Sequence, residues 1–240
     1  MLLSTGRYFG GSAAGGGDTD PYWSNVVLML GFDGQADGAT TFTDESPFGA
    51  SITATDNAQI DTSVSKFGDG SLVLDGDNDF LSIPSSAEFS VANAFDKTFE
   101  GWVYPADLSH QNVIYDKRSA GEFSMGVQTT GAAFFNTYGN TPLDVNLESS
   151  AGLVAANTWT HLAACRASSV WSLFVNGVFI GSQAESFQPY GTSNIFRIGK
   201  SGFSGSSRIF EGYMDELRVT HNVARYNANF TPPTTKFPRS

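Results

Sequence analysis

The residues able to do chemistry are sparse in this chain: eight Glu, three His and one Cys across 240 positions. Glycoside hydrolysis takes two carboxyl groups held about 5 Å apart for a retaining outcome, one ionised and one with its pKa raised. The glutamates stand at 45, 88, 100, 122, 148, 185, 211 and 216. Glu211 and Asp215 share one face of a strand, yet four strand residues separate them by well over about 10 Å. His110, His161 and His221 are isolated from one another, with no i, i+2 or i, i+4 pairing of the kind a transition metal recruits. No Gly-x-Ser-x-Gly elbow is present, and Cys165 has only His161 nearby on its own strand face, which reads as lining. The expectation is a protein that is not an enzyme.

Binding chemistry is better represented. Saccharides need an exposed aromatic ring beside amide or carboxylate acceptors; Tyr138 with Asn136 and Asn140, Trp171 and Tyr190 are the candidates. Aromatic residues make up 13% of the chain, so most of them must fill a core. Asp75, Asp77 and Asp79 alternate as in a calcium loop but lack its remaining ligands and closing Glu, so they read as a tight turn. A net charge of -11 and a pI near 4.5 exclude nucleic acid and anionic membranes as partners, because both recruit clustered Lys and Arg. No run approaches the roughly 20 apolar residues of a membrane span, so no membrane insertion is expected.

Short strands must carry these groups. Phe numbers 20 and Gly 26 while only 15% of residues are charged, a balance that favours strands and turns over amphipathic helices. Val26 to Phe32 is an unbroken apolar run suited to a strand covered on both faces. Residues 71–75 and 80–84 flank a turn, and residues 98–104 end at Pro105. Asn176-Gly177 between two alternating segments specifies a type I′ hairpin. Cys165 alternates with small apolar residues and should point into the sandwich; a single Cys leaves no disulfide within the chain. Residues 10–20 are Gly-rich and read as a linker, so that residues 1–22 form a flexible arm, with Tyr8 and Phe9 as partner-binding residues, and residues 23–240 form the folded domain. The first residues lack the design of a secretory signal, which points to synthesis in the cytoplasm.

Seven landmarks occur in order: Leu28 to Phe32 with Asp33-Gly34; residues 44–49; residues 66–76; Phe99-Glu100-Gly101-Trp102-Val103-Tyr104-Pro105; Trp159-Thr160-His161-Leu162; Phe174-Val175-Asn176-Gly177; and Gly212-Tyr213-Met214-Asp215-Glu216-Leu217-Arg218-Val219. Together they resemble the laminin-G-like jelly rolls of the concanavalin A-like lectin/glucanase superfamily over residues 23 to 238. The resemblance implies an all-β, two-sheet antiparallel β-sandwich. It also implies a structural Ca2+ ion held by Asp33, Gly70 and Asp215. The Glu-x-Asp-x-x-Glu strand of the superfamily's glycosidases is absent. The ending Ala224-Arg225-Tyr226 and Phe230-Thr231-Pro232-Pro233 is similar to domains of tailed-bacteriophage structural proteins. This implies a structural or adhesion protein on the virion surface, as capsid decoration, head fibre or tail-associated protein. Its expected partners are capsid or tail subunits and host cell-surface glycans. The alternative is a carbohydrate-binding, lectin-like module of a bacterial surface protein.

Overall fold

A computed structural model describes residues 19–118, 122–138, 143–186, 194–203 and 208–240. Tyr8, Phe9, Asn140 and Tyr190 lie outside the described residues. After a single 3-10 turn at Trp23–Asn25, the strands are β1 (Val26–Leu30), β2 (Thr53–Thr55), β3 (Gln59–Asp61), β4 (Ser71–Asp75) and β5 (Phe80–Ile83). They continue as β6 (Lys97–Pro105), β7 (Asn112–Asp116), β8 (Phe123–Val127), β9 (Ala133–Tyr138) and β10 (Leu143–Glu148). The last five are β11 (Thr160–Ala167), β12 (Val170–Val175), β13 (Val178–Ala184), β14 (Phe196–Ile198) and β15 (Glu211–His221).

Two antiparallel sheets stack into a sandwich. The first runs β13-β12-β11-β6-β15-β4-β3 and the second β10-β9-β8-β7-β14-β5-β2. β15 holds the middle of the first sheet. Its first half pairs with β4, its second half with β1, and β6 flanks both. The change of neighbour falls at a bulge between Asp215 and Arg218, where Glu216 takes a φ of 49°. The Asn176-Gly177 turn has φ values of 48° and 75°, as a type I′ hairpin requires. Gly177 is needed twice over, since a Cβ there would sit 2.0 Å from the Phe230 carbonyl oxygen.

Between the sheets lies an aromatic core. The Phe99 ring meets those of Tyr115, Phe123, Phe135, Trp171 and Phe196 at centroid distances of 4.6 to 6.4 Å. Trp171 is fully buried there, 4.2 Å from Phe135, with its indole N–H donated to Glu185 at 2.6 Å. A ring buried so completely offers no face to a sugar, which removes Trp171 from the saccharide candidates.

A third layer covers the outer face of the first sheet. Tyr226 and Phe230 stack at 3.5 Å and lie over Ala163, Cys165 and Phe174, while Phe237 packs on Val26 and Met29. Cys165 therefore points away from the sandwich interior, beneath this strap; Ala164, its neighbour, is the one that enters the core. Burial pushes the Cys165 thiol up to about 12, so it is an inert packing group.

Under the strap sits a network of buried ions. Arg218 donates through Nε to Glu100 Oε1 at 3.0 Å and through Nη1 to Asp20 at 3.1 Å. Arg225 grips both oxygens of Asp20 at 3.1 and 2.7 Å, and the Tyr226 hydroxyl donates to Glu100 at 2.8 Å. Burial opposes ionisation of Glu100, but Arg218, the His161 contact and Arg225 outweigh it and hold the carboxyl well below the usual carboxylate range. Asp20, only 6% exposed, is thus part of the folded body, and the body begins before Trp23.

Candidate functional site

Strand alternation sends one residue of each pair into the core and the next to the outer face. In the second sheet the core takes Tyr115, Phe123, Met125, Phe135, Val145, Phe196 and Ile198. Their neighbours point the other way, and the register aligns them: Asn146 opposite Asn136, Asn136 opposite Ser124, Ser124 opposite Asp116, Asp116 opposite Arg197, Arg197 opposite Ser82, and Ser82 opposite Thr53. One polar row crosses all seven strands. Its centre is deep, with Asp116 and Ser124 at most 1% exposed and Asn136 at 8%.

Arg118 and the 201–203 segment wall this centre. Asp116 Oδ1 accepts the backbone N–H groups of Arg118 at 2.9 Å and Gly202 at 2.8 Å. The Arg118 guanidinium donates to the Tyr138 hydroxyl and to Ser201 Oγ, each at 2.9 Å. It lies 5.0 Å from the Tyr138 ring and 5.4 Å from the Phe203 ring, and Phe203 is 58% exposed. Gly202 makes room for Arg197, whose Nη1 would lie 2.3 Å from a Cβ at that position.

Four buried polar atoms of this centre have no hydrogen-bond partner among the described residues: Asp116 Oδ2, Arg118 Nε, Asn136 Oδ1 and Arg197 Nη1. Two are acceptors and two are donors. Arg118 Nε and Asp116 Oδ2 stand 3.9 Å apart, within ion-pair range but beyond a hydrogen bond. Buried groups of this kind are normally paired, so a concentration of unpaired ones calls for an explanation. Burial raises the Asp116 pKa and lowers that of Arg197, the cost of holding both charges out of water.

Of the residues expected to bind saccharide, Asn136 and Tyr138 sit at this centre. Asp116, Arg118, Arg197 and Phe203 were not among them. Their signal was present in the charged Asp116-Lys117-Arg118 closing the apolar Val113-Ile114-Tyr115, and in Arg197 alone between Phe196 and Ile198.

Asp33 and Asp215 hold two sides of the 66–69 loop. Asp33 Oδ1 accepts the Asp69 N–H at 2.8 Å and its Oδ2 meets Lys236 Nζ at 2.7 Å. Asp215 Oδ2 accepts the N–H groups of Lys66 and Phe67 at 2.8 and 2.9 Å, and its Oδ1 that of Glu216 at 2.7 Å. Gly70 packs against the Phe32 carbonyl, which would lie 2.5 Å from a Cβ. Every carboxylate oxygen of the pair has a donor, and the Lys236 ammonium stands at Asp33 Oδ2, so a calcium ion would have to displace it. Burial, with Glu216 adding to it, pushes Asp215 up to about 7. Asp75, Asp77 and Asp79 form a turn, in which Asp77 N–H donates to Asp75 at 2.8 Å and burial beside Asp75 raises Asp79 to about 6.

Comparison with known proteins places this geometry in context. No curated protein matches the chain. Among solved structures, the botulinum neurotoxin serotype D binding domain superposes with a TM-score of 0.65 at 11% identity, covering 90% of this chain and 51% of that one. Domain 4 of AbnA, an extracellular GH43 arabinanase from Geobacillus stearothermophilus solved with arabinotriose, gives 0.60 at 18% identity, covering 83% and 94%. A structure of botulinum neurotoxin type C, whose cell entry is described as dependent on two ganglioside molecules, gives 0.59 at 12% identity, covering 83% and 48%. The chain thus spans about half the length of the neurotoxin chains it matches. At these identities the likeness is one of fold. Residues 75–225 match the family model described as the Concanavalin A-like lectin/glucanases superfamily. With most of its length matched and both sheets in place, the chain belongs to the concanavalin A-like lectin/glucanases superfamily.

Proposed function

We propose that this chain is a lectin-like, non-catalytic module that binds a saccharide on the outer face of its second sheet. The observation that carries the proposal is the set of four unpartnered buried atoms on the Asn136–Ser124–Asp116–Arg197 row. Neighbouring sugar hydroxyls both donate and accept. These atoms are themselves closed to solvent, so a saccharide seated on Tyr138 and Phe203 reaches them only as the 201–203 segment yields; a hydroxyl there donates to Asp116 Oδ2 or Asn136 Oδ1 and accepts from Arg118 Nε or Arg197 Nη1. The exposed Phe203 ring, beside Tyr138, offers an apolar surface for a pyranose face. The arabinotriose complex of the arabinanase domain and the ganglioside dependence of the type C neurotoxin support a saccharide as the ligand class. Hydrolysis takes two carboxyl groups, whereas the row holds one.

The module is read as displayed on a bacteriophage particle, joined through residues 1–18 to capsid or tail subunits. The Gly-rich composition of residues 10–17 and the Ala224-Arg225-Tyr226 ending support that placement. The test is a glycan array followed by affinity measurement on Asp116→Asn and Arg197→Met. Each change should weaken the retained glycan about tenfold or more, as expected for a lost charge-assisted hydrogen bond. Unchanged affinity in both variants would move the site elsewhere, and an array without any retained glycan would remove the saccharide reading. Deleting residues 1–18 should leave glycan retention intact and abolish incorporation into particles, with mass spectrometry of purified particles as the readout.

A further inference from the structure

A second cluster lies at the other end of β7 from Asp116. Asp107 and His110 belong to the turn between β6 and β7, and Glu211 opens β15; each offers one ligand atom, and the three atoms lie within 4.8 Å of one another. We propose that Asp107, His110 and Glu211 form a binding site for a divalent transition-metal ion, zinc foremost.

The backbone under the three residues is built around one side chain. Asn112, fully buried, donates from Nδ2 to the carbonyls of Asp107 at 2.8 Å and His110 at 3.3 Å, and its Oδ1 accepts the Glu211 N–H at 3.0 Å. The Ala106 N–H closes the arrangement on the Glu211 carbonyl at 2.8 Å. Two positions of one turn and a third about a hundred residues further along the chain are thereby held in one place before any ion arrives. Gly76, immediately after β4, leaves space for the Glu211 carboxylate, whose Oε2 would be 3.2 Å from a Cβ there.

The imidazole turns its Nδ1 toward Asp107. His110 Nε2 is buried and has no hydrogen-bond partner among the described residues, while Nδ1 stands 3.9 Å from Asp107 Oδ2 and 3.4 Å from Ser109 Oγ. Ser109 in turn orients Asp107, its backbone N–H donating to Oδ1 at 2.9 Å and its hydroxyl to Oδ2, the kind of outer support that metal-bound carboxylates receive. One nitrogen and two carboxylate oxygens suit zinc or manganese better than calcium, which prefers an all-oxygen shell. Zinc bonds of about 2.0–2.2 Å put neighbouring ligands a little over about 3 Å apart. Side-chain rotation of about an ångström closes the present spacing. Three protein ligands leave a fourth position open to water or to a ligand atom.

Isothermal titration of the metal-free full chain with zinc chloride, together with thermal melting, tests the site. The expected result is a one-site heat and a raised melting temperature, with affinity falling at least tenfold in both His110→Gln and Glu211→Gln. If Glu211→Gln does not fold, Asp107→Asn, on a side chain 45% exposed, replaces it. Absence of heat with both zinc and manganese overturns the proposal. Equal zinc affinity in wild type and variants overturns it as well, since the ion would then sit at another histidine.

Discussion

The two outer faces of this sandwich both bury charge and treat it oppositely. On the first sheet, Glu100, Arg218, Arg225 and Asp20 saturate one another beneath a strap of chain, and Arg218 even stacks on Phe237 at 3.8 Å. Among the described residues, Trp102 Nε1 and the ring nitrogens of His161 lack a hydrogen-bond partner there, but His161 Nε2 stands 3.4 Å from Glu100 Oε2 and both rings are enclosed by aromatic neighbours. On the second sheet, Asp116 and two guanidinium groups stand close together with hydrogen-bonding atoms left open. A closed network stabilises the protein; an open one on the same architecture is available to something else. Completeness of pairing, more than burial or charge, separates the structural face from the proposed binding face.

That contrast can be broken at its strongest point. Glu100→Gln leaves Arg218 and Arg225 buried with Asp20 alone and should cost about 3–5 kcal/mol of unfolding free energy in urea titration, the range for a broken buried pair. A loss below about 1 kcal/mol would make the strap network ornamental. Asp116→Asn keeps an oxygen for the N–H groups of Arg118 and Gly202, so stability should move by less than about 1 kcal/mol while saccharide affinity falls about tenfold or more. If instead stability collapses and affinity stays, the two faces have exchanged roles. Gly202→Ala displaces the flexible end of Arg197 and should weaken saccharide binding several-fold without shifting the melting temperature.

Acidity sharpens the comparison further. Asp215 and Asp79 have folded pKa values raised to about 7 and about 6, so the folded state holds protons that the unfolded chain releases near its ordinary value of about 3.9. Their contribution is greatest below that ordinary value and declines as pH rises through 6 and 7. Asp215→Asn should flatten the loss between pH 5 and pH 8 by about 1–2 kcal/mol, read from urea midpoints across pH. Glu100 has the opposite sign: its depressed pKa gives stability above the unfolded value, lost only as pH falls through the folded one. The smallest effect concerns calcium. Since Lys236 and backbone amides already occupy Asp33 and Asp215, melting temperatures in excess calcium and in chelator should coincide.

Much of the sandwich was legible because its signals are local. The period of two in β12 and β13, Asn-Gly at their turn and the apolar run of β1 act over a few residues. The faces were less legible. Alternation shows that Cys165 and Ala164 point opposite ways, but naming the inward one requires knowing that Tyr226 and Phe230 return to cover the other side. Trp171 and Tyr138 look alike in sequence, each an aromatic at the end of a strand; only the packing of Phe99 and Phe135 around one and Arg118 beside the other separates them. The polar row depends on register across seven strands, and Asp116 meets Arg197 through a pairing that no nearby residue announces. Glu211 beside His110 is hidden for the same reason.

The central position of β15 bears on the order in which the chain can assemble. β6, β4 and β1 all pair with it, and Val26 finds its partner at Thr220. A ribosome that has made everything up to residue 210 has produced a first sheet divided down its middle, with three strand edges bare. Folding of that sheet must wait for residues 211–221, and pairings this distant in sequence are slow to form. Until then the exposed edges are open to self-association, so termination before residue 211 should yield aggregates, whereas a chain that includes β15 closes its own seam.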